Sequence, residues 1–124
     1  MSEEYGIYKE NILDHYKNPR NFGNLEKFSF KHKELNPICG DVIEIYVLIE
    51  DNKVKEIRFD GQGCAVSMAA SSMLTEKVKG MKIEDVKKLN EKDIFEMLGV
   101  KLDASRIKCG TLALKALLRV VKNE

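Results

Sequence analysis

From Val42 to Leu48 the chain is rich in β-branched residues, and Ile43, Ile45, Val47 and Ile49 recur at every second position. Successive side chains of a strand point to opposite faces, so this period fits a strand that buries one face. Asp51-Asn52 follows as a turn, and Val54, Ile57 and Phe59 come next. Two apolar runs joined by turn residues predict a β-hairpin. The second strand runs into Gly61-Gln62-Gly63, where two glycines permit a sharp turn, and Cys64 follows at once.

The remaining periodicities are helical. Tyr5, Tyr8, Ile12 and Tyr16 recur at steps of three and four, which predicts a helix over about residues 3 to 17, ended by Asn18-Pro19. Leu25 to His32 reads as a strand with Phe28 and Phe30 on one face. Beyond Cys64, the Ala, Ser and Met run through Met73, Leu74 and Val78 reads as a buried helix that stops at Gly80. Short helices are expected over Ile83 to Leu89 and Asp93 to Leu98, the latter closed by Gly99. Ile107, Leu114, Leu118 and Val121 share one face of a C-terminal helix, with Asp103 or Ser105 as N-cap and Lys122 matching the helix dipole. A sheet followed by helices implies an α+β fold, a small antiparallel sheet with helices on one face and a helical C-terminal half. At 124 residues the expected organisation is one domain over 1–124.

Charge and hydropathy narrow the function classes. Twenty-one Lys and Arg against 20 Asp and Glu leave a formal charge of +1, too small a field to hold nucleic acid or anionic lipid by charge. The longest charge-free stretch, Gly61 to Thr75, has 15 residues, short of the roughly 20 a membrane helix requires. The acidic start MSEEYGIYKE lacks the pattern of a targeting signal, so a cytoplasmic location is expected. Disulfides are disfavoured there, which leaves three cysteines as structural, reactive or metal-binding thiols.

Those cysteines stand at 39, 64 and 109, with no C-x-x-C pair. Ligands so far apart meet only if the fold gathers loops and helix ends. Their contexts put each at an element end. Cys39 lies in the turn NPICGD, two residues before Asp41; Cys64 opens a helix; Cys109 follows Lys108 near the start of the C-terminal helix. Helix N-termini and cationic neighbours favour thiolate over thiol. Taken singly, each cysteine also reads as a small buried hydrophobe, Asp41 as a turn residue and Lys108 as a solvated charge. Together, three thiolates and one carboxylate supply four ligands, enough for tetrahedral zinc or for the two irons of a [2Fe–2S] cluster.

The segments NPICGD at 36–41, GQGCAVSMAASS at 61–72 and RIKCGTLAL at 106–114, with HYKNPRNFG at 15–23, resemble the motifs of the iron–sulfur cluster assembly scaffolds, whose branches are IscU, SufU and the N-terminal domain of NifU. The resemblance implies that Cys39, Cys64 and Cys109 bind the nascent cluster or a zinc ion and that Asp41 is a weaker fourth ligand. It implies a small antiparallel sheet covered by helices. The implied partners are a cysteine desulfurase that delivers persulfide sulfur, donors of iron and electrons, and apo-proteins that receive the cluster. Lys108 stands where IscU has histidine, as in the SufU-like branch, and is a candidate for pairing with Asp41 or contacting the cofactor. The separation of Cys64 from Cys109 leaves no room for the insertion of SufU-like chains. Leu102-Asp103-Ala104-Ser105-Arg106 replaces the proline-rich chaperone-docking segment of IscU, so chaperone docking is not expected.

Two functions with the same ligands follow from the resemblance: a non-enzymatic scaffold for a labile [2Fe–2S] cluster, or a zinc-bound sulfur acceptor that enhances a desulfurase. A third class, a cysteine hydrolase with His15 or His32 as base, needs only one thiol and finds neither histidine in a nucleophile motif.

Overall fold

The computed structural model describes residues 3–37, 39–100, 102 and 104–122, without the side chains of residues 3–9 and 105. In chain order the elements are α1 (Glu3–Lys17), β1 (Phe30–Asn36), β2 (Asp41–Glu50), β3 (Lys53–Gln62), α2 (Ala65–Val78), α3 (Ile83–Val86), α4 (Glu91–Leu98), α5 (Ala104–Gly110) and α6 (Leu112–Lys122). The strands form one antiparallel sheet in the order β1-β2-β3, and α2 and α6 pack on it. This is the expected α+β arrangement.

The hairpin forms where the alternation places it. Asp51 and Asn52 both take positive φ, 53° and 62°, the geometry of a two-residue turn whose twist matches its strands. Opposite pairs Ile45–Phe59 and Val47–Ile57 put the fully buried Ile45, Val47, Ile57 and Phe59 on one face. Burying each such side chain contributes roughly 1.5–3 kcal/mol. Leu74 and Val78 of α2, with Leu117 and Val121 of α6, close the core over that face. Within β3, Gly61 lies opposite Ile43 at φ 135°. A Cβ there would sit 1.9 Å from the Val42 carbonyl oxygen, so only glycine lets the strands approach so closely.

The first strand departs from the expectation. It runs over Phe30–Asn36, not Leu25 to His32, and Phe28 and Phe30 do not share a face. Phe30 sits opposite the core residue Val47, whereas the Phe28 ring meets Tyr46 edge-on at 5.6 Å. The strand is hard to read because its inward positions after Phe30, namely His32, Glu34 and Asn36, are polar. Glu34, 13% exposed, pairs with Arg119 and Lys115 of α6 and accepts from His32. Ion pairs there do what an apolar stripe does elsewhere.

The helices depart in detail. On α1, Ile12 packs against the core but Tyr16 is 45% exposed. His15 takes the inward place instead, bonded through Nδ1 to the Ser72 hydroxyl at 2.7 Å. The segment after α1 then follows the free edge of β3, with Gly23 N–H donating to the Phe59 carbonyl and Phe59 N–H to that of Asn21. α3 stops at Val86, and α4 starts at Glu91 because Asn90 caps it: the Asn90 side chain accepts from Lys92 N–H while Asp93 accepts from Asn90 N–H. The C-terminal helix is divided at Thr111, whose hydroxyl donates to the Ile107 carbonyl at 2.7 Å. Its buried face is Ala113, Leu114, Leu117, Val120 and Val121; Ile107 and Leu118 are half-buried. The expected cap Asp103 and the side chain of Ser105 lie outside the described residues. Among the described residues no helix is long and apolar enough to cross a membrane.

Two outcomes test this packing. Gly61→Ala is expected to destabilise the protein by about 1–3 kcal/mol in urea unfolding; an unchanged midpoint contradicts the close approach of β3 to β2. Burial, and then Arg20, lower the pKa of His15. Its neutral form is therefore the one the fold prefers, and stability is full above the unfolded pKa of about 6.5 and falls as pH drops below it. His15→Gln should flatten the acid side of the stability profile, and an identical slope in both proteins refutes the assignment.

Candidate functional site

Each of the four expected ligand residues sits where one element gives way to another. Asn36 ends β1 and its carbonyl accepts the Gly40 N–H at 2.8 Å, closing the turn that carries Cys39. Cys39 is exposed. Asp41 opens β2 and is 2% exposed. Cys64 follows the glycine turn after β3 and is the N-cap of α2, its sulfur accepting the Ser67 N–H at 3.4 Å. Cys109 lies in the last turn of α5 and is 2% exposed.

The fold gathers these residues although up to 70 positions separate them. The ligand atoms of Cys39, Asp41 and Cys109 lie within 4.8 Å of one another, and the Cys109 thiol contacts the Cys39 sulfur at 3.2 Å. Cys64 is tied to the same cluster through its backbone, its N–H donating to Asp41 Oδ1 at 3.2 Å. Its sulfur is engaged as the helix cap and stands outside the 4.8 Å group. Gly63 makes the approach feasible, because a Cβ there would lie 2.9 Å from Asp41 Oδ1 and 3.1 Å from the Ser67 Cβ.

Asp41 Oδ2 is buried and has no hydrogen-bond partner among the described residues. An orphaned acceptor costs free energy in a dry site unless a cation or donor meets it. Three sulfurs and this oxygen form a donor set that fits tetrahedral zinc or an iron–sulfur cluster. Lys108 does not meet the oxygen. It is exposed and lines a shallow cavity of about 200 Å³ with Leu35, Pro37, Thr111 and Lys115, beside the cysteine turn.

The electrostatic expectation for Cys109 is reversed. Burial first, then hydrogen bonds with Cys39 and Asp41 and the nearby Cys64 and Asp41 charges, push its thiol far above the ordinary range. The helix start gives no opposing help, because α5 begins at Ala104 and Cys109 lies five residues further on, beyond the first four residues whose N–H groups are free. The histidines lie elsewhere. His15 bonds Ser72 and faces Glu76, and His32 bonds Glu34, so among the described residues neither histidine is paired with a cysteine as the hydrolase arrangement requires.

Residues outside the expected set also build the site. Asn36, 4% exposed, donates from Nδ2 to the Cys109 sulfur at 3.7 Å. The Ser67 hydroxyl is buried without a partner among the described residues. Asn36 belongs to the NPICGD segment, but a turn-forming asparagine gives no sequence signal that its amide reaches a sulfur 73 positions on.

These exposures predict an order of reactivity in the metal-free, reduced protein. Alkylation with iodoacetamide, read by peptide mass spectrometry, should modify Cys39 first and Cys109 last. Faster labelling of Cys109 contradicts the burial described here.

The chain matches a family model, the NifU-like N terminal domain, over residues 7–123. It is 38% identical over 115 residues to iron-sulfur cluster assembly scaffold protein IscU 1 of Archaeoglobus fulgidus, covering 93% of this chain and 74% of that one. It is 36% identical over 135 residues to the zinc-dependent sulfurtransferase SufU of Bacillus subtilis, covering 95% and 91%. A crystal structure of a hypothetical protein superposes with a TM-score of 0.82 at 32% identity, covering 94% of this chain and 98% of that one.

Proposed function

The chain belongs to the NifU-like N-terminal domain family, and on that premise we propose that it is a non-enzymatic scaffold on which a labile [2Fe–2S] cluster is assembled and from which it is released. The observation that carries the reading is the convergence of Cys39, Asp41 and Cys109 within 4.8 Å, with Cys64 joined to Asp41 through its N–H. We take Cys39, Asp41, Cys64 and Cys109 as the ligands, with the Cys64 sulfur leaving its capping contact to join the set. A site that holds [2Fe–2S] permanently typically uses four thiolates. Replacing one with a carboxylate supplies a harder donor that iron–sulfur centres hold less firmly, and easy displacement is what cargo transfer requires.

In this reading sulfur arrives as a persulfide on a cysteine desulfurase. An acceptor thiolate attacks the outer sulfur, a new S–S bond forms on the scaffold, the old one breaks, and the desulfurase cysteine leaves as thiolate. Of the two candidates the family analogy offers, Cys39 is exposed and Cys109 buried, so Cys39 is the first acceptor. Iron and electron donors complete the cluster, and apo-proteins receive it. Lys108, on the open cavity beside the Cys39 turn, borders the route by which these arrive. Three unpaired thiols fit the reducing cytoplasm, and we treat residues 1–124 as a single scaffold domain.

A second reading rests on the same donor set together with the zinc-dependent relative at 36% identity. Zinc would be held by Cys39, Asp41, Cys64 and Cys109 and would keep bound thiols in the thiolate form. The protein would then accept sulfur and stimulate a desulfurase instead of building a cluster.

Metal and acid-labile sulfide analysis of protein purified without oxygen separates the two. Reconstitution with iron and either sulfide or a desulfurase is expected to give a visible charge-transfer spectrum that is lost in Cys64→Ala. Colourless wild-type protein refutes the scaffold. Tightly held zinc at about one per chain, with desulfurase stimulation and no cluster uptake, establishes the second reading.

A further inference from the structure

Asn36 meets two of the four ligand residues, Asp41 and Cys109, and closes the turn that carries a third, Cys39. Its backbone carbonyl accepts the Gly40 N–H and closes the turn that presents Cys39. In the sheet it stands directly opposite Asp41, the last pair of the β1–β2 ladder. Its side-chain amide donates to the Cys109 sulfur at 3.7 Å. The residue is buried, so the amide is held in place by its surroundings and not by chance.

Resting on the reading that these residues hold a cluster or zinc, we propose that Asn36 is a positioning residue that supplies an N–H···S hydrogen bond to the Cys109 sulfur and thereby sets the affinity and the redox behaviour of the cargo. Cys109 is the most enclosed of the three thiols, and its sulfur must carry negative charge as a ligand. Neutral donors around a ligand sulfur stabilise that charge, tune the reduction potential and raise affinity. An amide does so without adding a cation that would compete with the metal. A buried asparagine is also fixed by the end of β1, so it orients the sulfur as well as polarising it.

The test compares wild type with Asn36→Ala and Asn36→Leu; the latter keeps roughly the size of the side chain, adds neither charge nor metal ligand, and loses the donating NH₂. Zinc affinity is measured by competition with a chromophoric chelator, and the reduction potential of the reconstituted cluster by electrochemical titration, with circular dichroism to verify folding. Both variants should bind zinc at least about tenfold more weakly, and the potential of any cluster they retain should move to more negative values. A folded Asn36→Leu with wild-type affinity and potential overturns the proposal. So does a change confined to Asn36→Ala, which would be a packing effect. Wild-type protein that takes up neither zinc nor cluster overturns the scaffold reading itself, and this proposal with it.

Discussion

The contact on which the site depends is the one between the buried Asp41 carboxyl group and the backbone N–H of Cys64. It joins the first residue of β2 to the N-cap of α2, two points 23 positions apart. Because the acceptor is a side chain and the donor a main-chain group, the position of the carboxyl is set by backbone geometry at both ends. The sheet fixes where β2 starts, and the core packing of α2 fixes where its helix begins. Gly63 has no Cβ to keep the two apart. The Asp41 carboxyl group is thereby held within 4.8 Å of the sulfurs of Cys39 and Cys109.

This arrangement holds unmet polar capacity. Asp41 Oδ2 and the Ser67 hydroxyl are buried without partners among the described residues, a condition that folded proteins ordinarily avoid. The Cys64 sulfur is occupied with a 3.4 Å contact to a helix N–H, weaker than a bond to nitrogen or oxygen at the same geometry. A pocket of this kind is destabilised relative to a fully bonded one, and binding a cation at the sulfurs and the free oxygen offsets that cost. Rigid β and helical elements hold the donors near one another, while the exposed Cys39 turn leaves one side open. A scaffold needs both properties, because it must collect a cluster and then give it up.

Legibility of the fold followed the nature of the buried surface. Where a face is buried by apolar residues, its period appears in the sequence, as in β2, β3 and the C-terminal helix. Where it is buried by ion pairs, as with Glu34 against Arg119 and Lys115, the alternation carries no apolar signature and β1 was expected five residues too early. His15 replaced Tyr16 at the α1–α2 contact for a similar reason: a hydrogen bond to Ser72 does not register in a hydrophobic count. The C-terminal helix is divided at Thr111, and the enclosure of Cys109 by the packed elements, which no local pattern shows, reversed the sense in which its thiol is perturbed.

By itself the sequence determined the chemistry on offer: three cysteines and one carboxyl group placed beside turns and helix starts, and a hairpin that must be covered by helices. Those follow from local rules, since periodicity and turn chemistry act over a few residues. Only the tertiary structure decided which donors meet, that Cys39 is open and Cys109 enclosed, that Lys108 turns to the outer cavity, and that Asn36 reaches a sulfur. Distances across 70 residues are set by how the sheet and helices pack, and packing is a property of the whole core that no local pattern encodes.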